Sequence, residues 1–397
     1  MQTGRVHDRH NFRFPVASLK PSTMRSSDLP NEGGQLDHRF QPIFIWMKIL
    51  GISLTGERRF IGNVYDLLML AITLASNIAS ITLMLVEPDR PKQEDLSIIT
   101  SYTFTQILYI DNLNFILLVV GAHLMLLCQT RRHWKKLWAT LLEVQVYLNR
   151  KILNRSFVIA LLLIPEAIMI GLVVPLDVIG LPLYQQLVEV ISCATKIYAV
   201  SGMILFCMCG WIASDLFQVL LKQLNDDPSN SSLCLKTVKK RYQQVCQLID
   251  DINQCFGFIV LFLITYMMAS VVMVCFVAVV EFQHYDSTAV PWLYVRDWIL
   301  LIQHVINLIA ITFIPHTINI QNQQIHLALG RIEIDSRVDS SRHEQLEFLK
   351  WDVSQSSVKL TAAGLFDITP RLFPKLIGIT MTYVIILFQF QSSEKTT

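Results

Sequence analysis

Charge is scarce in this sequence. Only 16% of its 397 residues are Asp, Glu, Lys or Arg, while 52% are apolar, against about 25% charged in an average soluble domain. That deficit points to a membrane protein. The net charge of +2 gives no bulk cationic field for nucleic acid, and no basic patch is interleaved with aromatics. Eight cysteines are too few for a disulfide scaffold. Neither a His-x-x-x-His nor a Cys-x-x-Cys pair offers metal ligands, and His304 and His316 stand too far apart along one helix to share an ion. A P-loop, a Gly-x-Gly-x-x-Gly and a Gly-x-Ser-x-Gly elbow are all missing. Neither enzyme chemistry nor a cofactor is expected. The polar first forty residues lack the apolar core of a secretory signal.

What the sequence does have is long apolar runs. A bilayer-spanning helix needs roughly 20 mainly apolar residues, because every backbone amide must be satisfied within the segment. Seven stretches qualify, near 63–85, 104–128, 157–178, 187–220, 257–280, 298–320 and 361–391. Pro370, Pro374 and Gly378 are expected to break the last into two pieces. Lys and Arg alternate across these spans: 26 lie in the leader and the even-numbered loops, and three (Arg90, Lys92, Arg296) in the odd-numbered loops. The positive-inside rule then places the N-terminus in the cytoplasm and the C-terminus outside. The expectation is an all-α membrane protein of seven transmembrane helices, inverted relative to a G-protein-coupled receptor, so no G protein is expected as a partner.

Outside the membrane, residues 1–40 mix Pro, Gly, Ser and charge without periodicity and read as disordered. Residues 41–62 hold an apolar run too short to span, placed at the inner interface. Residues 63–320 carry the first six spans, and 321–360 a cytoplasmic helical segment. Residues 361–397 carry the last span and a short outer tail. In 233–255 and 321–360 apolar residues recur at helical spacing among charges (Val238, Val245, Leu248, Ile249, Ile252; then Leu346, Leu349, Val353). These segments read as cytoplasmic extensions of the spans that pack into an anchor, or alternatively as independent amphipathic loop helices.

The outer loops are too short for a ligand-binding ectodomain, so a stimulus must be sensed inside the bundle. Ionisable groups in hydrocarbon cost a few kcal/mol each and face protein or water. In the outer halves of the spans sit Tyr109, Asp111, Glu166, Glu189, Ser192, Lys196, Asp297, Gln303 and His304. One reading is a water-accessible cavity whose acids, Lys196 and aromatics hydrogen-bond a small polar ligand. The other is a set of interhelical pairs, such as Lys196 with Glu189 or Glu166, with the rest snorkelling to the interface.

The last helix carries the most specific pattern. Thr382, Ile386, Gln389 and Phe390 return to one side at spacings of three and four. An amide beside bulky apolar side chains suits a pore strip that gates by dewetting, although an ordinary bundle helix with an interhelical Gln389 hydrogen bond has the same composition. Thr382-Tyr383-Val-Ile-Ile-Leu-Phe-Gln389-Phe390 resembles the Thr-Tyr, five apolar residues, Gln-Phe signature that closes insect gustatory receptors. Ala362-Ala-Gly364-Leu-Phe366-Asp367 resembles the lead-in to that helix, and Leu50-Gly51 the patch before the first span. Pro370, Pro374 and the long polar leader depart from the pattern.

The resemblance implies a ligand-gated, non-selective cation channel in the plasma membrane of a chemosensory neuron, assembled as a tetramer of identical or related subunits. The seventh helix of each subunit would line one pore. Ile386, Gln389 and Phe390 would fall at the constriction, with Thr382 and Tyr383 deeper. The implied partners are a small-molecule tastant, such as a sugar, bitter compound or carbon dioxide, together with membrane lipid and permeating cations. An odorant-receptor subunit is the nearest alternative. An inverted seven-span metal-dependent hydrolase is more distant, because it needs histidines on the last span and none is there.

Overall fold

The computed structural model describes residues 129–145, 183–226, 232–283, 291–332, 340–356 and 358–394, with isolated helical positions between 68 and 125. The leader, the interfacial segment and the span expected at 157–178 lie outside the described residues.

Six helices and one hairpin make up this part. Helix α1 is Arg131–Gln145, α2 Leu183–Asp226, α3 Ser232–Gln283, α4 Pro291–Gly330, α5 Ser340–Gln355 and α6 Leu372–Glu394, and strands β1 (Thr361–Ala362) and β2 (Phe366–Asp367) precede α6. Four apolar stretches, Val200–Asn225, Leu235–Phe276, Leu301–Gly330 and Leu372–Gln389, are long enough to cross a membrane. The 52 residues of α3 make a rod of about 78 Å, more than twice the hydrocarbon thickness. Charged residues from Lys236 to Asp251 fill its first half and apolar ones its second. One uninterrupted helix therefore joins the amphipathic segment 233–255 to the span expected at 257–280, and α3 stands well clear of the membrane at its start.

Helix α1 shows how pattern becomes packing. Trp134, Leu137, Leu141 and Val144 recur at three- and four-residue steps and are buried, while Arg132, Lys135 and Lys136 face out. Trp134 stacks on Trp138 with centroids 5.8 Å apart and meets Phe256 of α3 edge-on at 6.3 Å. Phe206 of α2 reaches the same Phe256 at 6.4 Å. One continuous core thus runs through α1, α2, α3 and α4. Between α2 and α4 it has a polar link, where Ser214 Oγ donates to Gln321 Oε1 at 2.9 Å.

The α5 end is closed by Leu346, Leu349 and Val353. The buried Tyr242 ring of α3 places its hydroxyl between α4 and α5, where it donates to Asn322 Oδ1 at 3.0 Å and shares a hydrogen bond with Ser356 Oγ. Burial pushes the nearby Cys246 thiol up to about 12, so this thiol stays protonated and unreactive at neutral pH.

Segment 361–371 departs from the expected two-piece helix. Thr361 pairs with Asp367 and Ala362 with Phe366 as a short antiparallel hairpin. Its turn places Ala363 at φ 53° and Gly364 at φ 74°, left-handed positions that glycine takes without a steric penalty. The helix then runs unbroken from Leu372. Pro374 falls in its first turn, where the missing N–H has no intrahelical partner to lose, and Gly378 is carried inside.

Candidate functional site

Helix α6 is attached to the rest of the chain along one stripe. Leu376, Thr380 and Val384, four residues apart, are buried, and α6 packs on α3. Only 17% of Leu372–Gln389 is buried by the chain, against 72% of an 18-residue stretch within Val200–Asn225. Ile377, Ile379, Met381, Tyr383 and Ile385 are all exposed. At 100° per residue, Thr382, Ile386 and Gln389 lie on the side away from the buried stripe. Thr382 Oγ donates to its own helix at Gly378 O, 2.9 Å away, and Gln389 is exposed. Phe390 belongs to the helix, but its side chain is outside the described residues. A span-length apolar helix this bare must be covered by lipid, by other chains or by water along a polar strip.

The residues expected to form an outer cavity divide into three groups. Tyr109, Asp111 and Glu166 lie outside the described residues. Glu189, Ser192 and Lys196 follow one another on α2 at spacings of three and four, and Asp297 precedes His304 by seven on α4, so each set shares a helix face. The side chains of these four are outside the described residues. Gln303 and His304 are buried in the bundle at 7% and 6% exposure. The His304 ring stands edge-on to Tyr266 of α3, centroids 5.6 Å apart and planes at 87°.

Asn307, one turn further along α4, is also buried, and its Oδ1 accepts no hydrogen bond among the described residues. Gln303, His304 and Asn307 thus bring three polar side chains to one level of α4. A buried amide oxygen without a donor costs about 1–3 kcal/mol, which a ligand hydroxyl or water would relieve. Sequence reading named Gln303 and His304 and passed over Asn307 and Tyr266. The three-residue step from His304 to Asn307 was the available signal; Tyr266 comes from another helix, and nothing in its local sequence marks it.

A second constellation, which the sequence did not announce, joins the middle of α3 to the base of α6. Asn253 uses both ends of its amide: Nδ2 donates to Lys359 O at 2.8 Å, and Oδ1 accepts from Thr361 N–H at 2.9 Å. A Cβ on Gly257 would lie 3.0 Å from Ala363 N, so the hairpin backbone rests directly on the glycine. From the other side, Gln129 Nε2 and Thr130 Oγ donate to the carbonyls of Gln254 and Cys255 at 2.9 and 3.0 Å. Two turns of α3 therefore hold both the lead-in to α1 and the hairpin that starts α6.

Comparison with known proteins agrees with this architecture. The chain superposes on a structure of the insect olfactory receptor OR5 from Machilis hrabei in complex with eugenol, with a TM-score of 0.67 at 12% identity, over 91% of this chain and 100% of that one. A further structure of that receptor gives 0.54 at 11% identity over the same shares. At such identities the likeness shows the fold, a seven-helix receptor fold, and no curated protein matches. A family profile described as 7tm Chemosensory receptor covers residues 41–394. With the span-length helices, the bare last helix and the fold all in place, the chain belongs to the 7tm chemosensory receptor family, the superfamily of insect gustatory and odorant receptors.

Proposed function

We propose that this chain is a gustatory-type receptor, a subunit of a non-selective cation channel in the plasma membrane of a chemosensory neuron, opened by a small extracellular tastant. The observation that carries the reading is helix α6, a span-length helix held on one side by Leu376, Thr380 and Val384, with Leu372, Phe373 and Leu387 part-buried beside them, and exposed along the other. Its uncovered side bears Thr382, Ile386 and Gln389, an amide among bulky apolar groups, as a hydrated strip with a dewetting constriction requires. Copies around an axis, four in the family pattern, would cover α6 and bring these strips together. The Thr-Tyr and Gln-Phe ending favours the gustatory branch over the odorant one.

Polar groups at the level of Gln303, His304 and Asn307 suit a hydroxyl-bearing ligand such as a sugar. The solved olfactory receptor holds eugenol, which supports a small molecule as the class of stimulus. The odorant-type reading rests on that likeness, and a tastant panel against a volatile panel separates the two.

Gln389→Ala and Phe390→Ala are each expected to raise agonist-free leak or change unit conductance while surface expression, measured by biotinylation, stays at the parent level. Unchanged currents in both variants would sink the pore assignment. Calcium imaging of cells expressing the chain alone, then with a second subunit, identifies the stimulus class and whether identical copies suffice.

A further inference from the structure

The face of α6 that carries Gln389 does not end at Thr382. Stepping back toward the hairpin at helical spacings, Gln389, Ile386, Thr382, Gly378 and Lys375 follow at three, four, four and three residues, so they lie on one side, opposite Leu376, Thr380 and Val384, and Arg371 is the turn residue just before the helix starts. Arg371 and Lys375 are exposed, and among the described residues neither has an ion pair. The hairpin carboxylate nearest in sequence, Asp367, is taken by Lys359 at 2.6 Å. Lys375 sits in the first turn of its helix, where the macrodipole disfavours a cation, and no acid stands in that turn to offset it. Among the described residues, then, no ion pair holds either cation, and Lys375 opposes the dipole of its own helix. About 21 Å of helix separates Lys375 from Gln389, placing cations and amide near opposite ends of the hydrocarbon layer.

We infer that Lys375 and Arg371 form a cationic ring at the cytoplasmic mouth of the channel and bias its current inward. The inference rests on the pore reading above and on the cytoplasmic side of the lead-in to α6. Several like charges around a narrow opening raise a positive potential that depletes permeant cations at the inner mouth. Outward current starts from that depleted pool, and inward current starts from the outer end, where α6 presents uncharged Gln389. The channel rectifies as a result, and the effect is screened as cytoplasmic salt rises.

The test uses the full-length chain in excised inside-out patches with symmetrical sodium chloride, both agonist-free and with a panel of mono- and disaccharides in the pipette. The parent is expected to pass inward current about two- to tenfold more readily than outward, with the ratio falling toward one as salt is raised equally on both sides. Neutralising Lys375→Gln together with Arg371→Gln is expected to abolish the asymmetry, and Lys375→Arg to keep it. Asymmetry that survives neutralisation, or a parent that conducts equally both ways, overturns the ring and leaves the pore reading standing.

If the neutralised variant does not reach the surface, Lys375→Cys supplies the same answer through cytoplasmic methanethiosulfonate reagents. A cationic adduct brings rectification back to the parent level and an anionic one, which offsets Arg371, removes it, whereas indifference to both overturns the ring. Currents unaltered by Gln389→Ala and Phe390→Ala, or no current under any condition, would defeat the pore reading itself and the ring with it.

Discussion

Asp251 is a carboxylate with 1% of its side chain exposed, yet its partner Lys136, at 2.6 Å, is 55% exposed. Thr140 Oγ donates to the same carboxylate at 2.9 Å. Burying a carboxylate costs several kcal/mol, which a close cation and hydrogen bonds must offset. The two sides of the pair are therefore unequal. Lys136→Met leaves the buried charge with the Thr140 hydroxyl alone and is expected to cost about 3 kcal/mol. Asp251→Asn leaves a lysine that water can solvate and keeps an acceptor for Thr140, for roughly 1 kcal/mol. Thermal unfolding of the detergent-solubilised receptor checks this ordering; an equal or reversed loss would show that the buried charge is not held by Lys136. Little of this was legible in the sequence. Val245, Leu248, Ile249 and Ile252 marked an apolar face on that stretch of α3, but the burial of Asp251 beside them is made by α1, which arrives from 111 residues away.

At the scale of elements, the hairpin before α6 shows where sequence reasoning stopped. Pro370, Pro374 and Gly378 were expected to break the last span into two pieces, and the structure does not break it there. The helix starts after Pro370, takes Pro374 into its first turn and keeps Gly378. Segment 361–367 leaves helical geometry because its backbone finds other partners: its own second strand and the Asn253 amide, 108 residues distant from Thr361. Long-range capture of this kind has no local signature. Gly257 is its test. Its missing side chain makes room for the backbone at Ala363, which cannot yield as a flexible side chain would, so Gly257→Ala is expected to cost about 1–3 kcal/mol through overpacking. Gly378→Ala, whose Cβ meets nothing within 4 Å, is the matched control and should be neutral or slightly stabilising. Equal melting temperatures for the two variants would mean that the hairpin does not rest on α3. The amphipathic stretches were the better-read elements, since Leu346, Leu349 and Val353 are the buried residues of α5.

For the whole molecule, the distribution of charge and the lengths of the helices point the same way. Helix α3 is more than twice as long as the hydrocarbon layer is thick, and its excess lies at the end bearing Lys236, Lys239, Lys240 and Arg241. The same end is packed by α1, with Arg132, Lys135 and Lys136 on its outer side, and by α5. The helices thus project from the membrane on the side where the basic residues gather, the cytoplasmic side by the positive-inside rule. Seven spans with that side cytoplasmic would put the Gln389 end of α6 outside and the Lys375 end inside. Epitope tags decide it. A tag before Met1 is expected to bind antibody only after cells are permeabilised, and a tag after Thr397 to bind on intact cells. The reverse labelling would invert the molecule and move the cationic end of α6 to the outer mouth. Labelling of both tags on intact cells would remove one span from the count and break the link between the basic loops and the cytoplasm on which that direction of current depends.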